Sequence, residues 1–253
     1  MSGALVVVLV EPAGPLNVGS VARLCANFAV QQLRLVAPRC DHLGEEACRM
    51  AVHGRNMLET ARLFPDLAAA LADCQRVVAT SGRRDGEPLP LLPADQALAW
   101  LAASREDSPV ALVFGREDRG LSNGELLQAG RLLALQTAGS YRSLNLSHAV
   151  AVVLHAWHGL GPVAGAGPTP ESPEPSRRGP LEALLADAEA LLLEAGFLYP
   201  HTAEARMAKV RRLLQRGQVS GEEVALLRGM VRQLRWASRR GANPEGGSGP
   251  DPS

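Results

Sequence analysis

Three short polar clusters hold the residues best suited to chemistry. Asn17-Val18-Gly19-Ser20-Val21-Ala22-Arg23 puts Arg23 six residues after Asn17, about a turn and a half along a helix. Gly115-Arg116-Glu117-Asp118-Arg119-Gly120-Leu121 sets a carboxylate between two arginines in a tight turn. Ser143-Leu144-Asn145 opens an apolar helical run. A guanidinium binds phosphate or carboxylate in a forked pair and stays charged. Each cluster also has a plain structural reading. Asn17 and Asn145 read as helix N-caps, and Glu117 as a surface partner of Arg116 or Arg119, a pairing worth little.

Other chemistries lack their residues. There is no G-K-[ST] phosphate loop and no G-x-S-x-G elbow. The run from Gly159 to Ala164 fits a loosened dinucleotide fingerprint, but it follows a helix and contains a proline, which excludes it. His155 and His158 form an i, i+3 pair on an apolar helix with no third ligand nearby, so they read as packed histidines, and no metal site is expected. The cysteines, Cys25, Cys40, Cys48 and Cys74, form no C-x-x-C pair and read as free thiols of a reducing cytosol. Residues 4–10 are too few to span a membrane. A soluble cytoplasmic protein is expected.

The elements that must hold these clusters alternate. Residues 4–10, 32–38, 75–80, 109–115 and 131–136 read as strands. Residues 17–29, 65–74, 94–104, 122–129 and 145–160 read as helices, the first capped by Asn17. This pattern predicts an α/β domain over 1–160 with a mostly parallel sheet and helices on both faces. In such sheets ligands bind outside the carboxyl ends of the strands. The loops there are 11–16, 81–90, 116–122 and 137–143, so all three clusters converge on one rim.

Residues 161–180, rich in Gly and Pro, read as a linker. Residues 181–198, 203–216 and 221–240 read as helices of a small basic C-terminal extension over 181–240, and 241–253 as a disordered tail. On the last helix Val224, Leu227, Val231 and Leu234 form an apolar stripe, and Arg228, Arg232, Arg235 and Arg239 a basic one. The whole chain has zero net charge, yet residues 201–240 carry nine Arg and one Lys against three Glu. That excess is an electrostatic footprint for an anionic partner, or a solvated helix face.

The motifs N-x-G-x-x-x-R, F-G-x-E-x-x-G-L and S-L-N-L, carried by these clusters, resemble the signature of SpoU-type (TrmH-like) RNA ribose 2′-O-methyltransferases of the SPOUT superfamily. VEPAGPLNVGSVAR, ATSGRR, LVFGREDRGLSNGEL and YRSLNLSHAV in this order are most similar to the TrmJ branch, which methylates the ribose at position 32 of the tRNA anticodon loop. The resemblance is close over about 1–160 and loose over 181–240. It implies a C-terminal segment threaded into a trefoil knot, a homodimer and S-adenosylmethionine as methyl donor. The donor would be cradled by Thr80, Ser81, Gly82, Gly115, Arg116, Glu117, Gly120, Leu135, Gln136, Thr137, Arg142, Ser143, Leu144 and Asn145. Gln136 stands where the family usually has proline, which alters one loop of that cradle.

By the same resemblance Arg23 is the catalytic candidate. A guanidinium is a poor base, so the preferred role is to hold the neighbouring phosphate and stabilise the forming alkoxide, with base catalysis by a strongly perturbed Arg23 as the alternative. Asn17, Ser143 and Asn145 would position the helix starts and the hydroxyl, and Glu117 would anchor Arg23 or the loops. tRNA phosphates are expected at Arg83, Arg84, Arg211, Arg212, Arg228, Arg232 and Arg235. Two other readings stay open here: a SpoU-type enzyme for another tRNA or rRNA site, and a non-catalytic RNA-binding protein on the same scaffold.

Overall fold

The structure is a computed structural model and describes residues 4–82, 88–104, 108–135, 137, 144–160 and 174–241. In chain order the first half comprises β1 (Leu5–Val10), α1 (Pro15–Asn27), β2 (Gln32–Val36), α2 (Glu45–Ala51), a 3-10 turn (Val52–Gly54), α3 (Arg55–Glu59), β3 (Arg62–Phe64), α4 (Leu67–Leu71) and β4 (Arg76–Ser81). Then follow β5 (Leu91–Pro93), α5 (Ala94–Ala102), β6 (Val110–Phe114), α6 (Asn123–Leu126), β7 (Arg131–Ala134) and α7 (Leu146–Gly159). Helices α8 (Arg178–Glu194), α9 (Pro200–Gly217) and α10 (Gly221–Gly241) complete the described chain.

The strands form one seven-stranded sheet in the order β3-β2-β1-β6-β4-β7-β5, and every pairing in it is parallel. The apolar run of β1 explains its central place. All six of its residues are buried, because both of its faces are covered. Leu5, Val7 and Leu9 point to one side, against Val18 and Val21 of α1, Leu98 of α5 and Val150 and Leu154 of α7. Val6, Val8 and Val10 point to the other, against Leu67 and Leu71 of α4 and Leu126 of α6. Strands β3 and β5 were not predicted. Each has three residues at a sheet edge, too short to leave a β-branched run in the sequence.

Two boundaries differ from expectation for local reasons. Helix α1 starts at Pro15 with Gly14 as its N-cap, so Asn17 lies inside the first turn and does not cap it. Proline suits that first position because its missing N–H would have had no helical partner. Helix α8 starts at Arg178, inside the predicted linker, because Pro180 falls in its first turn, where proline is tolerated. The residues just before it are docked. Glu174 receives a two-pronged bond from Arg76, at 2.8 and 2.9 Å. Residues 161–173 of that linker and 242–253 of the tail lie outside the described residues.

Helices α8, α9 and α10 share a small core of their own, with Leu181, Leu184, Leu185, Met207 and Val224 buried. Leu227 and Val231 of the predicted stripe pack against it, but Leu234 is 58% exposed. Hydrogen bonds fasten the group to the sheet domain, among them Arg177 Nε to the Ser108 hydroxyl at 3.0 Å. Arg178 and Gly179 donate their backbone N–H groups to Cys74 and Ala72 beyond α4. Gln215 of α9 donates its side-chain amide to the carbonyls of Leu127 and Ala129, between α6 and β7.

Arg178 is buried at this seam, and its Nε has no hydrogen-bond partner among the described residues. Burial pushes its guanidinium pKa down to about 10; Glu182 opposes this and the positive charge of Arg211 adds to it. Folding therefore disfavours the charged form, and the cost is present at every pH below the depressed value. Arg178→Met is expected to stabilise the protein, by up to about 1–2 kcal/mol, since burying a guanidinium whose Nε is unpaired costs more than burying an apolar side chain of similar length. Thermal unfolding checks this; a lower midpoint for the variant would contradict it.

Candidate active site

The four strands β1, β6, β4 and β7 are consecutive neighbours in the sheet, and the chain leaves each of them at the same carboxyl edge. The loop after β4 brings Thr80, Ser81 and Gly82 to that edge; the loop after β6 brings residues 115–121; and β7 leads to Leu135. Together with Leu144, Leu146 and Ala149 at the start of α7 they line a cleft of about 450 Å³. That size suits a nucleoside-sized ligand. Phe114, Leu121, Leu135, Leu144 and Leu146 make part of the wall apolar, while Arg116, Glu117, Asp118 and Arg119 bring charge to the lining.

The turn from Arg116 to Gly120 depends on its two glycines. Gly120 has φ +68°, a conformation that glycine adopts without strain. A Cβ on Gly115 would lie 2.4 Å from the carbonyl carbon of Gly120 and 2.5 Å from the amide of Leu121. Gly115→Ala is therefore expected to force the two ends of this turn apart and cost about 1–3 kcal/mol of stability. Equilibrium denaturation measures it, and an unchanged midpoint would disprove the close approach.

Glu117 is the hub of the polar network. It accepts the backbone N–H groups of Ala13, at 3.1 Å, and Gly14, at 3.0 Å, and Nδ2 of Asn17 at 3.1 Å. Gly14 has no capping side chain of its own, so Glu117 reaches across from the β6 loop to satisfy the free N–H groups at the start of α1. A Cβ on Gly14 would come within 3.3 Å of the Glu117 carboxylate. Burial pushes the Glu117 pKa up, but the backbone amides and Asn17 outweigh it and hold it below the ordinary carboxylate value. Glu117 pairs with neither Arg116 nor Arg119; it anchors the loop before α1.

This hub also fixes the orientation of two amides. A carboxylate only accepts, so Asn17 must turn its NH2 toward Glu117. Its Oδ1 then faces Asn145 and receives Nδ2 of that residue at 3.0 Å. The remaining oxygen of Asn145 is free to cap α7, accepting the backbone N–H of Ser147 at 2.9 Å. One chain of hydrogen bonds thus joins the β6 loop, the start of α1 and the start of α7.

Arg116 plays a different part. Its side chain is 9% exposed and its guanidinium is held by Glu125, at 2.8 Å, and by Glu11. Glu11, in the loop after β1, escaped the sequence analysis because a lone carboxylate carries no motif. Ser122 and Glu125 form a capping box at α6, and that box holds Glu125 in reach of Arg116. Arg119 is 64% exposed and lies 3.5 Å from Glu11. Arg23, on α1, is exposed and makes no hydrogen bond or ion pair with the described residues. Its backbone is pinned by Gly54, where a Cβ would lie 2.7 Å from the Cα of Arg23.

Of the predicted donor-binding residues, Thr80, Ser81, Gly82, Gly115, Arg116, Glu117, Gly120, Leu135 and Leu144 line the cleft. Asn17 and Asn145 join it through Glu117, and Thr137 is not among the lining residues. Gln136, Arg142, Ser143, Arg83 and Arg84 lie outside the described residues. In the C-terminal helices Arg211 pairs with Glu182, Arg228 and Arg232 with Asp187, and Arg235 with Glu194. Arg212 bonds only a carbonyl, that of Ala208. His155 and His158 are exposed and flank the ring of Phe28, so they are not packed in the core.

A parallel α/β domain with a polar network beside a nucleoside-sized cleft at its carboxyl edge belongs to the ligand-binding class of α/β proteins. The SpoU rRNA Methylase family matches residues 4–155, and the C-terminal domain of tRNA methyltransferase TrmJ matches residues 180–245. The tRNA (cytidine/uridine-2′-O-)-methyltransferase TrmJ of Klebsiella pneumoniae is 34% identical over 90% of this chain and 95% of its own length. The tRNA (cytidine-2′-O-)-methyltransferase TrmJ of Methanocaldococcus jannaschii is 39% identical over 59% of this chain and 65% of its own. The crystal structure of TrmJ from Z. mobilis ZM4 superposes with a TM-score of 0.78 at 30% identity, covering 90% of this chain and 98% of that one. The chain belongs to the SpoU family, in its TrmJ branch, and is an RNA 2′-O-methyltransferase.

Proposed function

We propose that the chain transfers a methyl group from S-adenosylmethionine to the ribose 2′-hydroxyl of cytidine or uridine 32 in the anticodon loop of tRNA. The observation that carries this reading is the Glu117–Asn17–Asn145 chain of hydrogen bonds, which fixes two helix starts beside the cleft. The cleft fits the donor by size and by a lining of both apolar and polar residues. A relative of solved structure is described as an AdoMet-bound rRNA methyltransferase from Sinorhizobium meliloti; it is 25% identical, has a TM-score of 0.50 and covers 63% of this chain and 57% of its own. When bound, the donor supplies an electrophilic methyl group on a positive sulfur.

The chain's own residues then orient and stabilise. Asn17 and Asn145 hold the starts of α1 and α7 in register with the β6 loop. Arg23, exposed and unpaired among the described residues, is the group assigned to hold the substrate phosphate and stabilise the alkoxide. Ser143 is assigned to orient the hydroxyl. The proton leaves to phosphate or water. A trefoil knot in the C-terminal part of the α/β domain belongs to the same proposal, on the strength of the family match over 4–155. A homodimer is part of the same proposal, by resemblance to the family. A tRNA substrate assigns the protein to the cytoplasm.

A second reading has one observation behind it. A solved neighbour, described by its role in 2-OH methylation of C/U34 on tRNA, is 27% identical with a TM-score of 0.50. It covers 62% of this chain, against 90% for the Z. mobilis structure, so the C-terminal match favours the TrmJ branch. The experiment is incubation with labelled donor and bulk tRNA, followed by mapping of the 2′-O-methylated nucleotide. Label at 32 supports the proposal, and label at 34 supports the second reading. Label at neither position would overturn both assignments of the target nucleotide.

A further inference from the structure

The basic excess of the C-terminal helices is not where the sequence places its longest arginine stripe. On α10, Arg228 and Arg232 lie against Asp187, and Arg235 and Arg239 against Glu194, both acids of α8. Over 181–240 the count is ten basic against seven acidic residues, and α8 supplies four of those acids with no basic residue over 181–194. Each of the four arginines is therefore held by an α8 carboxylate, and the two acids offset two of their four charges.

Helix α9 differs. Arg206, Lys209, Arg212 and Arg216 are all exposed, and at 100° per residue they fall within one arc of about 120°. No carboxylate among the described residues pairs with them. Arg206 bonds the carbonyl of Phe197 and lies over its ring, and Arg212 bonds the carbonyl of Ala208. Neither contact cancels charge. Glu204 is the single acid of α9, and the residues three and four further on are Met207 and Ala208, so it has no cation in helical reach. The stripe runs about 15 Å along the helix axis.

The opposite face of α9 fixes that stripe in space. Met207 is buried against α8 and α10, and Gln215 is bonded to the carbonyls of Leu127 and Ala129. Those carbonyls follow α6, whose Glu125 holds Arg116 beside the cleft. The charges thus sit on a rigid element tied to the loop that lines the site. A fixed row of uncompensated cations is what a polyanion backbone needs, since phosphate contacts position a nucleic acid without reading its sequence. We propose that Arg206, Lys209, Arg212 and Arg216 of α9, not the arginines of α10, form the phosphate-binding track for tRNA.

This rests on the reading of the chain as a tRNA methyltransferase, and the test separates the two. The full chain carrying Arg206→Gln, Lys209→Gln, Arg212→Gln and Arg216→Gln is compared with a control carrying Arg232→Gln and Arg239→Gln. A tRNA transcript is titrated at several salt concentrations, and thermal unfolding checks that each variant folds. The α9 variant is expected to bind at least about tenfold more weakly, with a log–log salt slope shallower by about 3–3.5, because each of the four lost phosphate contacts removes about 0.7–0.9. Its turnover at saturating tRNA and its donor affinity should match the wild type, and the control should bind nearly as the wild type does. Unchanged tRNA affinity in a folded α9 variant, or an equal loss in the control, overturns the proposal. If the quadruple variant fails to fold, Lys209→Glu alone repeats the test at a side chain with no protein partner. A wild type that binds tRNA through α9 but methylates none of it would refute the enzymatic reading and leave the track standing.

Discussion

Arg23→Ala is expected to abolish most methyl transfer, by about 10²–10³-fold in turnover, while donor affinity changes by less than about twofold. The argument is geometric. Arg23 projects from α1, whose start is clamped by Glu117 through Ala13, Gly14 and Asn17, and whose middle is pressed against Gly54. The backbone of Arg23 is thus fixed, yet its side chain is exposed and bonded to no described residue. A positioned guanidinium without a protein partner is available to an anion brought by the substrate. Because it does not line the cleft, its loss should spare the donor. Arg23→Lys keeps the charge and loses the fork, so it should recover only part of the rate. Single-turnover kinetics and donor titration on the same variants check this. Unchanged turnover in Arg23→Ala would end the assignment.

Arg116→Met is expected to give the largest loss of stability, about 3–5 kcal/mol, because it removes one partner of a largely buried ion cluster and leaves two carboxylates facing each other. Arg116 holds Glu11 and Glu125 together, and so ties the β1 loop and α6 to the β6 turn. The pH dependence follows. Arg116 holds the Glu11 carboxyl below its ordinary value. For Glu125, burial pushes upward, but Arg116 and Ser122 outweigh it and the pKa is also lowered. A carboxylate with a depressed folded pKa contributes stability that is full above its ordinary value of 4.5 and is lost as pH falls through the folded value. Wild-type stability should therefore fall on acidification below about pH 4.5, and the gap between wild type and Arg116→Met should narrow there. Denaturation midpoints at pH 7 and pH 4 measure both. A gap that stays constant with pH would show that the cluster contributes no net charge pairing.

Much of the site was legible because its chemistry is local. The β-branched run of β1, the tight Gly115–Gly120 turn and the cap at Asn145 are each written in a few adjacent residues. The α/β alternation then brought all three polar clusters to one sheet edge without any coordinate. Glu11 was not legible as a partner, since its bond to Arg116 spans 105 residues and no spacing rule links them. Asn17 was misread as a cap because the signal for its helix start, Pro15, lies outside the apolar period. Its real partners, Glu117 and Asn145, are 100 and 128 residues away.

The C-terminal arginines show the same division most sharply. The sequence by itself determined that 201–240 is helical, basic and amphipathic, because period and charge are properties of neighbours along the chain. It also determined the parallel α/β domain and the residue types at its rim. Only the tertiary structure decided which charges remain available, because Asp187 and Glu194 meet the arginines of α10 across 41–45 residues of chain. Helix periodicity places side chains on a face; packing alone decides whether that face meets an acid, a core or an open surface.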